Sequence, residues 1–140
     1  MAEKLCSLRK KGGNLSETVL WTNASPTSAF AGQNVSLSDN VNNYKYIEIQ
    51  YDVYASQNHY MSSIYKVSEL LSMNTPSSND NYWRTDLSAL YQNYVFTRLG
   101  YLYDNTHFHF DNNLWVLSSG TVQRGTNNSS IIPIKIIGLK

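Results

Sequence analysis

The chain has 140 residues, enough for one domain with a core of its own. Only 15% of its residues are charged, against about 25% in an ordinary soluble domain, while Asn and Ser fill 34 positions and Tyr another 11. A formal charge of +1 gives no electrostatic footing for nucleic acid, no stretch approaches the roughly 18 apolar residues of a membrane span, and one cysteine, Cys6, excludes an internal disulfide.

The opening segment, residues 1–13, differs from the rest. Lys4, Arg9, Lys10 and Lys11 against Glu3 give it a net +3, leaving −2 for the remaining residues. No apolar run follows these charges, so no secretory signal is expected. Gly12-Gly13 reads as a joint, and residues 1–13 as a basic arm set off from a single domain over 14–140. A solvated tail is the ordinary reading of such an arm. The functional one is docking onto a sister subunit or another component.

From Thr18 onward strands alternate with turns. Thr18–Thr22 is a short β-branched run, Asn23–Ser28 a turn cluster, and Asn34–Ser38 alternates with Val35 and Leu37 on one face. Tyr44–Tyr54 carries the clearest pattern. Ile47, Ile49, Tyr51 and Val53 share one face, and Tyr46, Glu48, Gln50 and Asp52 the other, as in a half-buried antiparallel strand. Tyr60–Val67 reads as its return strand through Ala55–Asn58, and Glu69-Leu70-Leu71 as a helical turn or a strand end. Asn74–Asn81 is a polar loop. Beyond it, Tyr82–Leu87, Asn93–Leu99, Thr106–Phe110 and Leu114–Gln123 read as strands. Gly125–Ser130 is a turn, and Ile131–Leu139 forms a buried closing strand. Pro133, lacking an N–H, is expected at an edge or at that strand's start. About eight short strands at this spacing predict an all-β chain, an antiparallel β-sandwich of jelly-roll-like type.

Catalytic constellations are thin. Cys6 lies in the arm, apart from all three histidines, and no G-x-S-x-G elbow occurs. Asp86, Asp104 and Asp111 are the carboxylates whose aromatic context would suit a glycosidase pair, but turn aspartates bonded to their own backbone explain them more simply. The chain is therefore read as non-enzymatic. His107 and His109 fall on one strand face opposite Phe108 and Phe110; across a threefold axis six imidazoles could hold a divalent metal. A polar outer face is the simpler account, and no cofactor or metal is assigned. The seven glycines are scattered and make no phosphate loop, and the N-x-S/T sequons, without a secretory signal, are read as unmodified.

What remains is aromatic–amide chemistry. Tyr and Trp offer rigid contact area with a polar handle, and Asn and Ser adaptable hydrogen bonds. Rings stack on the C–H faces of sugars while amides bond hydroxyls. Two clusters, both read as loops, carry this pattern: Tyr82-Trp83-Arg84 at the end of the polar loop, and Tyr101-Leu102-Tyr103-Asp104-Asn105 before the histidine strand. Tyr82, Trp83, Arg84, Tyr101, Tyr103, Asp104 and Asn105 are the candidate ligand-binding residues. Trp21 and Trp115 are assigned to the core.

Three segments together resemble a family. They are E-T-V-L-W-T-N-x-S-P-T-S-x-F at 17–30 followed by Val35-Ser36-Leu37-Ser38, Y-K-Y-I-E-I-Q-Y at 44–51, and I-P-I-K-I-I-G-L-K at 132–140. They are similar to small virion proteins and C-terminal tail-fibre domains of tailed bacteriophages infecting Gram-positive and gut bacteria. The resemblance spans residues 16–140 and rests on sheet-building positions such as Trp21, Pro26 and Phe30. It implies a tail- or fibre-associated structural protein of the virion, commonly a homotrimer, that meets other virion proteins and binds host cell-surface polysaccharide. The implied alternative is a decoration or adaptor protein without receptor contact. Charge and the lack of a long apolar run leave neither a nucleic-acid partner nor membrane insertion expected.

Overall fold

A computed structural model describes residues 16–53, 59–72, 85–91, 94–117, 119–120, 122–124 and 128–140. The described strands are β1 (Glu17–Thr22), β2 (Gln33–Ser36), β3 (Tyr46–Val53), β4 (His59–Lys66), β5 (Thr85–Tyr91), β6 (Tyr94–Asp104), β7 (His107–Phe110), β8 (Leu114–Leu117), β9 (Val122–Arg124) and β10 (Ile131–Leu139). A 3-10 turn, Val41–Asn43, precedes β3, and one short helix, α1 (Val67–Ser72), follows β4. Sheet A has four strands in the order β1-β10-β3-β4. Sheet B has six, β2-β7-β6-β8-β9, with β5 on the free side of β6. Every pairing is antiparallel. The chain is an all-β sandwich whose first and last strands pair, and it crosses between the sheets from β1 to β2 and back to β3, as a jelly roll does.

Period-two alternation places the core where expected. Ile47, Ile49, Tyr51 and Val53 of β3 face Phe96 and Leu102 of β6 and Phe108 and Phe110 of β7. Trp21, half-buried, meets Phe30 at 5.9 Å and Phe110 at 5.7 Å between ring centroids, and Phe30 meets Phe110 at 5.6 Å. This aromatic triangle joins the two sheets. Glycine is required where backbone passes under a ring. A Cβ on Gly138 would lie 2.5 Å from the Tyr44 ring, and one on Gly100 2.6 Å from the Phe108 ring.

The β4–β5 side of the sandwich is closed by tyrosine hydroxyls. Tyr65 Oη donates to the Asp86 carbonyl (2.7 Å) and accepts from the Asp86 N–H (3.0 Å), and Tyr51 Oη donates to the Ser88 carbonyl (3.0 Å). These bonds occupy backbone groups that the edge strand β5 would otherwise present to another chain. Burial raises the Tyr65 hydroxyl to a pKa of about 12.

One inward position of β6 is not apolar. Arg98, between Phe96 and Gly100, is fully buried. Its Nε donates to Ile131 O (2.8 Å), one terminal nitrogen to Asp111 O, and the other to Phe30 O (2.8 Å) and Asn128 O (3.3 Å). The guanidinium thus ties three further chain segments to β6 through four carbonyls. Burial lowers its pKa to about 10, opposed by the Asp111 charge, so it stays protonated at neutral pH. Asn128, at φ 50°, completes the knot: its Oδ1 accepts from Asn113 N (2.6 Å) and its amide donates to Asn112 Oδ1 (3.0 Å).

Pro133 is placed as expected, near the start of β10 and beyond the last β1 pair (Thr22 with Lys135), where only β3 flanks the strand; the register slips just after it, with Pro133 opposite Tyr51 and Lys135 opposite Gln50. Other expectations are resolved or corrected. Leu114–Gln123 is not one strand but the hairpin β8–β9, with Gly120 at φ 79° between them. Glu69-Leu70-Leu71 belongs to α1, which buries Val67 and Leu70. The expected strand at Tyr82–Leu87 is described from Thr85 onward, as β5. Glu48 and Asp52 point away from the core yet are buried. Ala55–Asn58, Asn74–Asn81 and the arm lie outside the described residues.

Candidate functional site

Of the predicted site residues, Tyr101, Tyr103, Asp104 and Asn105 are brought together at the β6–β7 corner, while Tyr82, Trp83 and Arg84 lie outside the described residues. The corner is not the loop that its composition suggested. Tyr101, Tyr103 and Asp104 belong to β6, and only Asn105 and Thr106 form the turn.

A register shift between Leu102 and Asp104 leaves Tyr103 without a partner in β7. Such a bulge re-aims a side chain, and Tyr103 is 60% exposed. The turn is held by a short-range set of bonds. Asp104 Oδ1 accepts from Thr106 N (2.7 Å) and Thr106 Oγ1 (3.1 Å), and His107 Nδ1 lies 2.9 Å from both Asp104 oxygens. The Thr106 N–H first, then His107, holds the Asp104 carboxyl below the usual carboxylate range. Leu37 N donates to Thr106 O (2.8 Å) and Val41 N to Asn105 O (2.9 Å), anchoring the corner from the β2 side. Leu71 of α1 joins Tyr103, Asp104, Asn105 and Thr106 around a shallow depression of about 350 Å³.

The same outward face continues over β7 and β2. Tyr101 lies against His109, with 4.9 Å between ring centroids. His109 Nδ1 is 2.5 Å from Asn34 Oδ1 and its Nε2 3.1 Å from Asp111 Oδ1. An imidazolium satisfies both oxygens by donating twice; a neutral ring needs the Asn34 amide turned over. His107 and His109 do share one face, with Phe108 and Phe110 fully buried behind them. Each histidine, however, takes its own carboxylate, Asp104 and Asp111 respectively. Among the described residues no three His, Cys, Asp or Glu side chains gather as a metal site.

The three carboxylates singled out in the sequence are each engaged locally. Asp104 and Asp111 serve the histidines, and Asp86 accepts from Ser88 Oγ and Thr97 Oγ1. Trp21 is half-buried in the aromatic triangle and also lines a groove with Thr22, Ser25 and Gln33. Trp115 stands opposite Phe96 in register. Sequence reasoning missed Asn34, Asp111 and Leu71 as neighbours of the site, since contacts across strands carry no sequence signal. It also missed Arg98, whose signal was present: a lone charge at an inward position of β6.

The chain matches no protein-family model and no curated protein.

Proposed function

We propose that this protein is a non-enzymatic, tail- or fibre-associated component of a bacteriophage virion, a homotrimer that presents the β6–β7 corner to a host cell-surface polysaccharide. The observation that supports this reading best is the exposed Tyr103 ring on its bulge, beside the exposed Asp104 and Asn105. An aromatic face with a carboxylate and an amide at its rim matches a pyranose, whose C–H face stacks while its hydroxyls hydrogen-bond. A shallow depression binds one sugar weakly. Repetition around a symmetry axis multiplies weak sites by roughly 10² to 10⁴ in avidity. Light scattering should find an oligomer at micromolar concentration; a monomer overturns the avidity mechanism. On a glycan array Tyr103→Ala should lose the signal of the parent protein, and an unchanged signal removes this corner as the site.

A second reading, a decoration or adaptor protein without receptor contact, is favoured by a different observation. Leu90 of β5 (76% exposed) and Val95 of β6 (41% exposed) stand directly opposite each other on the outward face of sheet B. An exposed apolar pair of this kind suits a contact with another virion protein. Leu90→Lys should then weaken assembly, and the parent protein should give no signal on the glycan array.

A further inference from the structure

β1 and β2 are edge strands of opposite sheets, and the sandwich is clasped between them at Ser38. Ser38, just past β2, donates its N–H to Leu20 O (2.8 Å) and its hydroxyl to Val19 O (3.2 Å). No other main-chain bond joins the two strands among the described residues. Between this clasp and the turn over 23–32 lies a groove of about 350 Å³, at the small end of the roughly 300–1,000 Å³ of ligand sites. Its floor is the half-buried Trp21 with the buried Phe30 and Val35. Its rim is polar, with the hydroxyls of Thr22 and Ser25 and the amide of Gln33, all on exposed residues. Gln33 breaks the alternation of β2: it shares the inward side of Val35 and sets an amide at the mouth of the groove. Its Nε2 donates to Ala31 O (3.2 Å), which holds the side chain in place. Asn23 fixes the other rim, donating its amide to Pro133 O (2.9 Å) and accepting from Ser25 N at Oδ1 (2.9 Å). The described residues that line the groove include no Asp, Glu, Lys, Arg or His.

We propose that this groove is a second saccharide site, one that takes an uncharged pyranose. The aromatic floor meets the C–H face of the sugar, and the hydroxyls and amide of the rim exchange hydrogen bonds with its hydroxyls. An ionised ligand would lose its water there without gaining a counter-charge. A purely apolar ligand would strip water from Thr22, Ser25 and Gln33 and leave them unpaired. A proline-rich peptide also suits aromatic-lined grooves, but at about 3.1 Å per residue it needs a channel open at both ends. This groove is bounded by the Ser38 clasp at one end and the 23–32 turn at the other. The β6–β7 corner differs in kind, because Asp104 and His107 make it charged. The two sites lie at opposite ends of β2. At about 3.3 Å per residue, Gln33 is roughly 13 Å from Leu37, which bonds the corner through Thr106 O. They share no lining residue, so each can be altered alone. The inference rests on the glycan reading for its class of ligand and extends it to Trp21, a residue that the sequence assigned to the core.

The indole N–H of Trp21 provides the test, read by NMR on the ¹⁵N-labelled full chain. The probes are methyl glucoside, methyl galactoside and N-acetylglucosamine as neutral sugars, glucuronate as a charged one, and decaproline as a peptide. At least one neutral sugar should give saturable shifts of the Trp21 indole and of the Thr22, Ser25 and Gln33 amides. Gln33→Ala should weaken that binding about fivefold, and Tyr103→Ala should leave it unchanged. Binding indifferent to Gln33→Ala overturns the assignment of the groove. Glucuronate should move the Trp21 signal far less than the neutral sugars, and an equal response overturns the uncharged class. Shifts confined to Tyr101–Thr106 overturn the groove site and sustain the glycan reading, whereas sugar shifts nowhere overturn both. Saturable shifts of the same signals by decaproline instead of a sugar give the groove to a peptide and overturn the proposal.

Discussion

The outward faces of the two sheets are written in the same alternating code and end in opposite conditions. On sheet A, Glu48, Asp52, Ile137 and Leu139 are buried. On sheet B, the outward positions of β6 and β7 carry Tyr103, Asp104 and the histidines, which remain open or half-open. Alternation dictates which side of a sheet a residue takes, not whether that side meets water. The acids show the consequence. Asp104 is exposed and satisfied by Thr106 and His107, whereas Asp52 is buried with an oxygen unpaired among the described residues. A face of the first kind can exchange partners with a ligand in water. A face of the second kind is already closed to water.

The largest expected effect removes what both faces rest on. Arg98→Met leaves carbonyls of Phe30, Asp111, Asn128 and Ile131 without their donor and should cost about 3–5 kcal/mol in urea unfolding. Arg98→Lys should recover little of it, because a single ammonium cannot span carbonyls arranged around a planar fork. The comparison itself is tested by a matched pair. Leu139→Ala on the buried face should cost about 2–5 kcal/mol, and Tyr103→Ala on the open face no more than about 0.5 kcal/mol. Equal losses would erase the distinction between the faces.

The two sheets should also part along pH. The Tyr65 hydroxyl of β4 has its folded pKa raised to about 12, so its contribution is intact below the usual tyrosine value near 10 and fades as pH climbs through 12. Tyr65→Phe should flatten the alkaline limb of a melting-temperature profile. At the corner of sheet B the sign reverses. Asp104 is held below the usual carboxylate range, so its smaller contribution is present above about pH 4 and disappears on acidification through its lowered value. Asp104→Asn should flatten the acid limb and leave the alkaline one unchanged.

Much of the sheet architecture was legible residue by residue. The Ile47–Val53 alternation, the Phe108 and Phe110 side of the histidine strand, and the burial of the closing strand follow from period-two patterning, which is local. The split of Leu114–Gln123 into β8 and β9 was marked only by Gly120, a residue that is equally common in coil. The candidate site was legible in composition but not in form. Tyr101–Asp104 reads as a polar loop, and only pairing with β7 shows it to be a strand ending in a bulge that turns Tyr103 outward.

The sequence by itself determined the class of fold, the inward residues and the place of most turns, because hydrophobic periodicity and turn chemistry act between near neighbours. Tertiary structure alone decided two things. Arg98 could be buried because three separate segments of the chain turned four carbonyls toward it. Glu48 and Asp52, written as outward residues, are buried, since burial depends on what lies across a face and no strand's own pattern records that.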